Sequence, residues 1–168
     1  MKIFITGGSG FIGSHLVPKL LRRGHKLLLL QRKSEKRNSR NPAFLKGDLK
    51  NIQSWRRKVK KFKPEAVIHL AWEGLSSHDY GSRTSVRNLK NTLGLISFAS
   101  TIGCKKFLSV GSSWECGILR GRLRETSRLR PSSHVPSFIA AKRKILSKGI
   151  YIARECGMQF LWPRVFFA

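Results

Sequence analysis

An α/β fold, a three-layer doubly wound parallel sheet with helices on both faces, follows from three observations. Short β-rich runs alternate with helical stretches along the whole chain, the pattern that right-handed crossovers turn into a parallel sheet. One run, "KLLLLQ", is continuously apolar, as a central strand covered on both faces requires. The first strand runs directly into "GGSGFIG", a glycine-rich turn that opens a helix. The strand order expected is 3-2-1-4-5-6. Residues 1–168 are read as a single domain, since 168 residues with 40% hydrophobic content match one ordinary core.

The elements follow in order. "KIFIT" is the first strand. Residues 11–23 show helical spacing, with Phe11, Ile12, His15, Leu16, Leu20 and Leu21 on or near one stripe. Pro18 is expected to kink or weaken that helix, and Gly24 closes it. Residues 32–42 are polar and basic and are expected to loop. "AFLKGD" holds a short strand ending near Asp48. Residues 51–62 form an amphipathic helix, with Ile52, Trp55, Val59 and Phe62 inward and Arg56, Arg57, Lys58, Lys60 and Lys61 outward. "EAVIHLA" is a strand, residues 81–102 are mostly helical, and "KKFLSVG" is a strand. Residues 114–131 are a loop rich in Gly and Arg, residues 138–156 are helical, and "MQFLWPRVFF" is the last strand.

Composition excludes several classes. No apolar run reaches the 18 or so residues needed to cross a bilayer, and the N-terminus lacks the apolar core of a signal peptide. A soluble cytoplasmic protein without membrane contact is expected. Cys104, Cys116 and Cys156 show neither metal-ligand spacing nor a disulfide framework, so no metal is expected. His69, inside "AVIHLAW", reads as a hydrogen-bonded core residue. The 34 Lys and Arg against 8 Asp and Glu give a net charge of +26. Such a field attracts polyanions without a dedicated site.

The glycine-rich turn carries the most chemistry. In "TGGSGFIG", Gly7 permits a tight turn. Gly10 lets backbone approach a pyrophosphate, and Gly13 lets the helix pack on the strand. Free N–H groups at the helix start then face the phosphates, with Ser9 and Phe11 flanking the approach. This is a Rossmann-type dinucleotide-binding signature. The end of the second strand, where a carboxylate would bind the adenosine ribose, holds Gln31, followed by Arg32 and Lys33. No carboxylate repels a 2′-phosphate there and two cations can pair with it, so NADP is favoured over NAD. Asp48 is a candidate for the adenine edge.

Beyond this turn, the chain resembles the extended short-chain dehydrogenases/reductases of the NAD-dependent epimerase/dehydratase kind, which act on nucleotide sugars. "TGGSGFIGSHL" resembles the family's cofactor loop, "GDL" its adenine-contacting turn and "HLAW" its strand-four ending, with Trp72 in place of an alanine. "NLKNTLGLI" resembles the segment whose helical Asn, here Asn88, helps hold the active site. "GSSWECG" resembles the segment with the catalytic Ser or Thr, here Ser112, and "LWPRVFF" the strand-six ending at Arg164 and Phe166. The wording of "HLAW…GL", "GSSWECG" and "GRLRET" is similar to the CDP-abequose synthase-like 4-ketosugar reductases and epimerases. Cofactor contacts are thus expected at Gly7, Ser9, Gly10, Phe11, Ile12, Gly13, Gln31, Arg32, Lys33, Asp48, Leu49, Leu70, Ala71, Asn88 and Lys142.

The resemblance also exposes departures. The family's catalytic pair is Tyr-x-x-x-Lys, and with Lys142 as the lysine the tyrosine position falls on Phe138, a ring without a proton. General acid–base help of the kind lost is typically worth about 10²–10⁴ in rate. Ser137, His134 and Tyr151 are poor substitutes by position. Ser113 and Trp114 stand where the family's dehydratases have Asp-Glu, which disfavours dehydration, and Glu115 is expected to be structural. The family continues past the strand-six arginine into a portion that binds the nucleotide sugar. A chain ending at Ala168 is therefore expected to lack that portion, to be impaired in catalysis, and to need a partner chain or a second copy over its apolar end. The competing expectations are a non-catalytic module that binds nucleic acid or another polyanion through "RRKVKK" and "RGRLRETSRLR", and a pseudoenzyme subunit.

Overall fold

The computed structural model describes residues 1–33, 41–117, 124–125 and 133–166. Within these, the strands are β1 (Lys2–Thr6), β2 (Lys26–Gln31), β3 (Ala43–Lys46), β4 (Ala66–His69), β5 (Lys106–Ser109), β6 (Gly111–Ser112), β7 (Gln159–Leu161) and β8 (Arg164–Val165). Six of them make one parallel sheet in the order β3-β2-β1-β4-β5-β7. The doubly wound parallel sheet and its expected order are both present, with β7 as the sixth long strand.

The four helices are α1 (Phe11–Arg22), α2 (Arg56–Phe62), α3 (Ser82–Thr101) and α4 (Pro136–Glu155). They cover the sheet unequally. On one face, Phe4, Leu28, Leu30, Val67 and Phe107 pack with Val59 of α2, Leu95, Ile96 and Ala99 of α3, and Ile145 and Ala153 of α4. On the other face, Ile3, Ile5, Leu27, Leu29 and Ala66 meet Val17, Leu20 and Leu21 of α1. The alternation of partners follows from the period of two along each strand. Full burial of a side chain such as Phe107 or Ile145 stabilises the fold by about 1.5–3 kcal/mol.

Two expectations need correction. The helix expected over residues 51–62 is a 3₁₀ turn, Leu49–Ser54, followed by α2. Asn51 has φ −132° and ψ 73°, outside helical space, and Trp55 stands between the two pieces. Trp55 is the reason: its ring is buried and its Nε1 donates to Asp48 O at 2.9 Å, a contact a straight helix would not allow. The last strand is two strands, because Pro163 cannot donate to a ladder. β7 stays in the main sheet, and β8 pairs with β6 in a second, two-stranded one. Pro18 lies inside α1, which runs on to Arg22; Gly24 follows with φ +75°, the left-handed stop expected of glycine. Most of the loop over residues 114–131, including most of "RGRLRETSRLR", lies outside the described residues.

Candidate functional site

All four parallel strand ends that matter for a ligand point the same way, because Thr6, Leu30, His69 and Ser109 lie in one row of the register. Ligands of open α/β sheets bind outside these carboxyl ends. Two different environments sit there.

The first is the turn from β1 to α1. Gly7 has φ +73°, and a Cβ on it would lie 2.5 Å from the Ala71 backbone nitrogen. A Cβ on Gly13 would lie 2.4 Å from Gly7 O and 2.6 Å from Gly8. Both positions are thus held to glycine by backbone, not by movable side chains. Gly10 N donates to Gly7 O at 3.1 Å, and the helix ladder begins with Ser14 N to Gly10 O at 2.8 Å. The amides of Phe11, Ile12 and Gly13 precede that ladder and are the donors for an anion. Ser9 and Gly10 are exposed, and Phe11 is 65% exposed, so the approach is open. At the end of β2, Gln31 Oε1 is buried with no hydrogen-bond partner among the described residues. Arg32 and Lys33 beside it are exposed. Asp48 caps the following 3₁₀ turn through Lys50 N at 2.8 Å, Leu49 begins that turn, and Leu70 continues β4 by donating to Thr6 O. An acceptor without a donor beside a glycine cradle fits the ribose and pyrophosphate of a dinucleotide.

The second environment is aromatic. Phe138 is 3% exposed on the first turn of α4. Its ring centroid lies 5.2 Å from Trp72, 5.4 Å from Tyr80 and 5.6 Å from Trp114, and Tyr80 also lies 5.1 Å from Trp114. All four pairs are edge-to-face, each worth about 0.5–1.5 kcal/mol beyond its buried area. One turn on, Lys142 is 6% exposed on the otherwise apolar stripe of α4. Its Nζ donates to Val110 O at 2.7 Å and stands 3.8 Å from the Trp72 ring centroid. Burial pushes the Lys142 ammonium down to about 7, and the Glu115 carboxylate opposes that shift. Sequence reasoning found Phe138 and Lys142 but missed Tyr80 and the joint role of the tryptophans. The only early signal was the presence of bulky rings, Trp72 and Trp114, at strand ends where the family has others.

Glu115 supports this wall from behind. It is fully buried and accepts from Ser112 N at 2.8 Å and from Trp162 Nε1 at 3.2 Å, while Arg164 Nε stands 3.5 Å away. It is therefore structural, as expected. The Ser112 hydroxyl accepts from Trp114 N at 3.2 Å and caps the short 3₁₀ turn Ser113–Glu115. Asn88 is likewise committed: its Oδ1 accepts from Glu73 N, and its Nδ2 donates to Glu73 O and Thr84 O. It pins the loop after β4 to α3. Among the described residues no group of three or more His, Cys, Asp or Glu is placed to hold a metal ion.

A family model described as the NAD dependent epimerase/dehydratase family matches residues 3–167. The chain belongs to this family. A UDP-glucose 4-epimerase from Klebsiella pneumoniae is 31% identical over 127 residues, covering 67% of this chain and 90% of that protein. The crystal structure of a UDP-glucose 4-epimerase with UDP-glucose from Thermotoga maritima superposes with a TM-score of 0.79 at 26% identity, over 98% of this chain and 55% of that one. A Thermus thermophilus UDP-glucose 4-epimerase in complex with NAD shares the fold, with a TM-score of 0.75 at 23% identity, over 98% and 54%. The chain thus spans about half the length of the solved structures it matches. None of the helices among the described residues is long and apolar enough to cross a membrane.

In this epimerase-family chain, His69 ties β4 to its neighbours at the floor of the site. Its Nδ1 lies 2.6 Å from Thr6 Oγ1 and its Nε2 2.9 Å from Thr92 Oγ1, so the neutral ring donates at one nitrogen and accepts at the other. Burial, with a smaller contribution from the Lys142 charge, pushes its pKa down to about 3. The unfolded chain takes up that proton near pH 6.5. Between pH 6.5 and 3 the unfolded state therefore binds more protons, and stability falls as pH falls. About 2 kcal/mol is expected to be lost between pH 7 and pH 5 from this residue. Urea midpoints at the two pH values measure it, and His69→Gln is expected to flatten the difference. Equal slopes in both proteins would show that His69 titrates normally.

Proposed function

We propose that this chain is the NAD(P)-binding part of a nucleotide-sugar epimerase or 4-ketoreductase, impaired in catalysis. The observation that carries the cofactor reading is the pair Gly7 and Gly13, each closed to a Cβ by backbone at 2.4–2.5 Å where β1 hands over to α1. Bound there, the cofactor would supply hydride exchange at its nicotinamide. The amides of Phe11, Ile12 and Gly13 hold the pyrophosphate, and Gln31 meets the adenosine ribose. Gln31 brings no negative charge, and Arg32 and Lys33 stand exposed next to it, so NADP binds at least as well as NAD.

The impairment reading rests on Phe138. In a ring without a hydroxyl, no proton passes between protein and sugar oxygen at that place; the Ser112 hydroxyl accepts from Trp114 N and keeps its O–H as a hydrogen-bond donor. We expect NADPH to bind with micromolar affinity, measured by calorimetry. We expect its oxidation by a 4-keto nucleotide sugar to stay at background in the same preparation. Failure of both NADPH and NADH to bind would remove the cofactor reading; rapid turnover would remove the impairment.

A second reading has its own observation. On α2, Arg56, Arg57, Lys58, Lys60 and Lys61 are all exposed around the single buried Val59. This basic face suits a polyanion, though it carries no interleaved rings for base stacking. Non-specific RNA binding is expected, with affinity falling steeply as salt rises. Charge-reversal of Arg57 and Lys61 to Glu should reduce the log–log slope by about 2 or more. A slope unchanged by these substitutions places the binding elsewhere or dismisses it.

A further inference from the structure

The two environments at the strand ends differ in one respect that bears on the ligand. The glycine turn is open and its amides are unspent. The aromatic end is packed ring against ring, and the Trp72 ring covers the Lys142 ammonium.

We infer that this chain grips the adenosine diphosphate part of its ligand and leaves the nicotinamide end unheld, so that its ligand class is ADP-ribosyl nucleotides in general. This rests on the cofactor reading of the glycine turn given above. Three observations support it. Phe138, 3% exposed, is wedged among Trp72, Tyr80 and Trp114 with centroid distances of 5.2–5.6 Å. Trp72 and Tyr80 come from the segment after β4, Trp114 from the 3₁₀ turn after β6 and Phe138 from α4, and they meet outside the strand ends where ligands of such sheets bind. A planar ring entering there would have to part the existing edge-to-face pairs.

Next, the groups able to hold a nicotinamide ribose or a sugar hydroxyl stand behind the rings. Lys142 Nζ is bonded to Val110 O at 2.7 Å and capped by the Trp72 ring at 3.8 Å. The Ser112 hydroxyl accepts from Trp114 N at 3.2 Å. Lys142 keeps further N–H donors and Ser112 its O–H, so the obstacle at this end is the ring packing and not spent hydrogen bonds. Finally, the opposite end offers groups that have no internal partner. Gln31 Oε1 is buried without a donor among the described residues, and Phe11 leaves the turn accessible at 65% exposure. A ligand ending at the second ribose would satisfy these and disturb nothing else.

The test is calorimetric titration of the 168-residue chain with ADP-ribose and with NADH. Affinities within threefold of each other are expected, and the fluorescence of bound NADH is expected to remain that of the free reduced ring. NADH binding tenfold or more tightly than ADP-ribose, or a blue-shifted and intensified emission, would overturn the inference. Absence of binding by both ligands would instead overturn the cofactor reading beneath it. Trp72→Ala removes the cap on Lys142 and should raise the NADH to ADP-ribose preference at least fivefold. Tyr80→Ala, which removes a ring packed on Phe138 and Trp114, is a second variant that leaves the Lys142 contacts in place and should move the preference the same way. A preference unchanged in both folded variants would show that the rings are not the obstacle.

Discussion

Replacing Gly13 with alanine is expected to lower dinucleotide affinity at least a hundredfold. The added Cβ would stand 2.4 Å from Gly7 O and 2.6 Å from both the Cα and the carbonyl carbon of Gly8. No rotamer relieves this, since every atom met is backbone. α1 must lift from the turn, and its first amides then no longer converge on one anion. Overpacking of this kind also costs about 1–3 kcal/mol of stability. Two controls separate the effects. Gly24→Ala meets no atom within 4 Å but sits at φ +75°, so it should lose about 1 kcal/mol through strain alone and leave binding intact. Gly10→Ala meets only Gly7 O at 3.3 Å, so it should fold normally and weaken binding by obstructing the ligand's approach. Calorimetry with NADPH and circular dichroism on the three variants decide the matter. A folded Gly13→Ala protein binding within threefold of the parent would mean that the phosphates sit elsewhere.

Removing the Glu115 carboxylate is expected to have the largest effect on stability. This side chain is 0% exposed, yet it gathers Ser112 N–H from its own segment and Trp162 Nε1 and the Arg164 guanidinium from the β7–β8 segment. Glu115→Ala leaves two buried donors and a largely buried cation without their acceptor. Breaking one side of such a cluster costs about 3–5 kcal/mol, and the partial exposure of Arg164, 25% for its side chain, points to the lower end. For a chain of this length that lowers Tm by roughly 6–12 °C. Glu115→Gln keeps an acceptor for Ser112 N and should lose less. Glu65→Ala is the comparison: that residue is exposed and its carboxylate accepts from Lys2 N at 2.8 Å. A thermal shift for Glu115→Ala no larger than for Glu65→Ala would show that the cluster contributes no net stability.

Why some of this was legible before any coordinates can be argued from particular residues. "LLLL" at Leu27 to Leu30 marks a central strand because burial on both faces removes the usual alternation, and all four residues are buried. The glycine turn is legible because Gly7, Gly10 and Gly13 act through local backbone geometry. The stripe of α4 was legible from its spacing, including the lysine among apolar residues. The break at Asn51 was not, because it depends on the Trp55 indole reaching Asp48 O. The division of the last strand between two sheets was half visible, in Pro163, but which partner β8 takes depends on Gly111 and Ser112 being nearby in space.

By itself, the amino-acid order determined the alternation of strands and helices, the glycine turn from β1 to α1, and the presence of a phenylalanine one helical turn before Lys142. These depend on periodicity, on φ preferences and on residue identity, all of which act over a few neighbouring positions. Only the tertiary structure decided that Trp72, Tyr80, Trp114 and Phe138 close over one end of the crevice, that Lys142 is capped there, and that Glu115 ties its own segment to the β7–β8 segment. Those facts are contacts between residues up to 70 positions apart, from Trp72 to Lys142, and packing at that range is set by how the whole sheet brings its strand ends together.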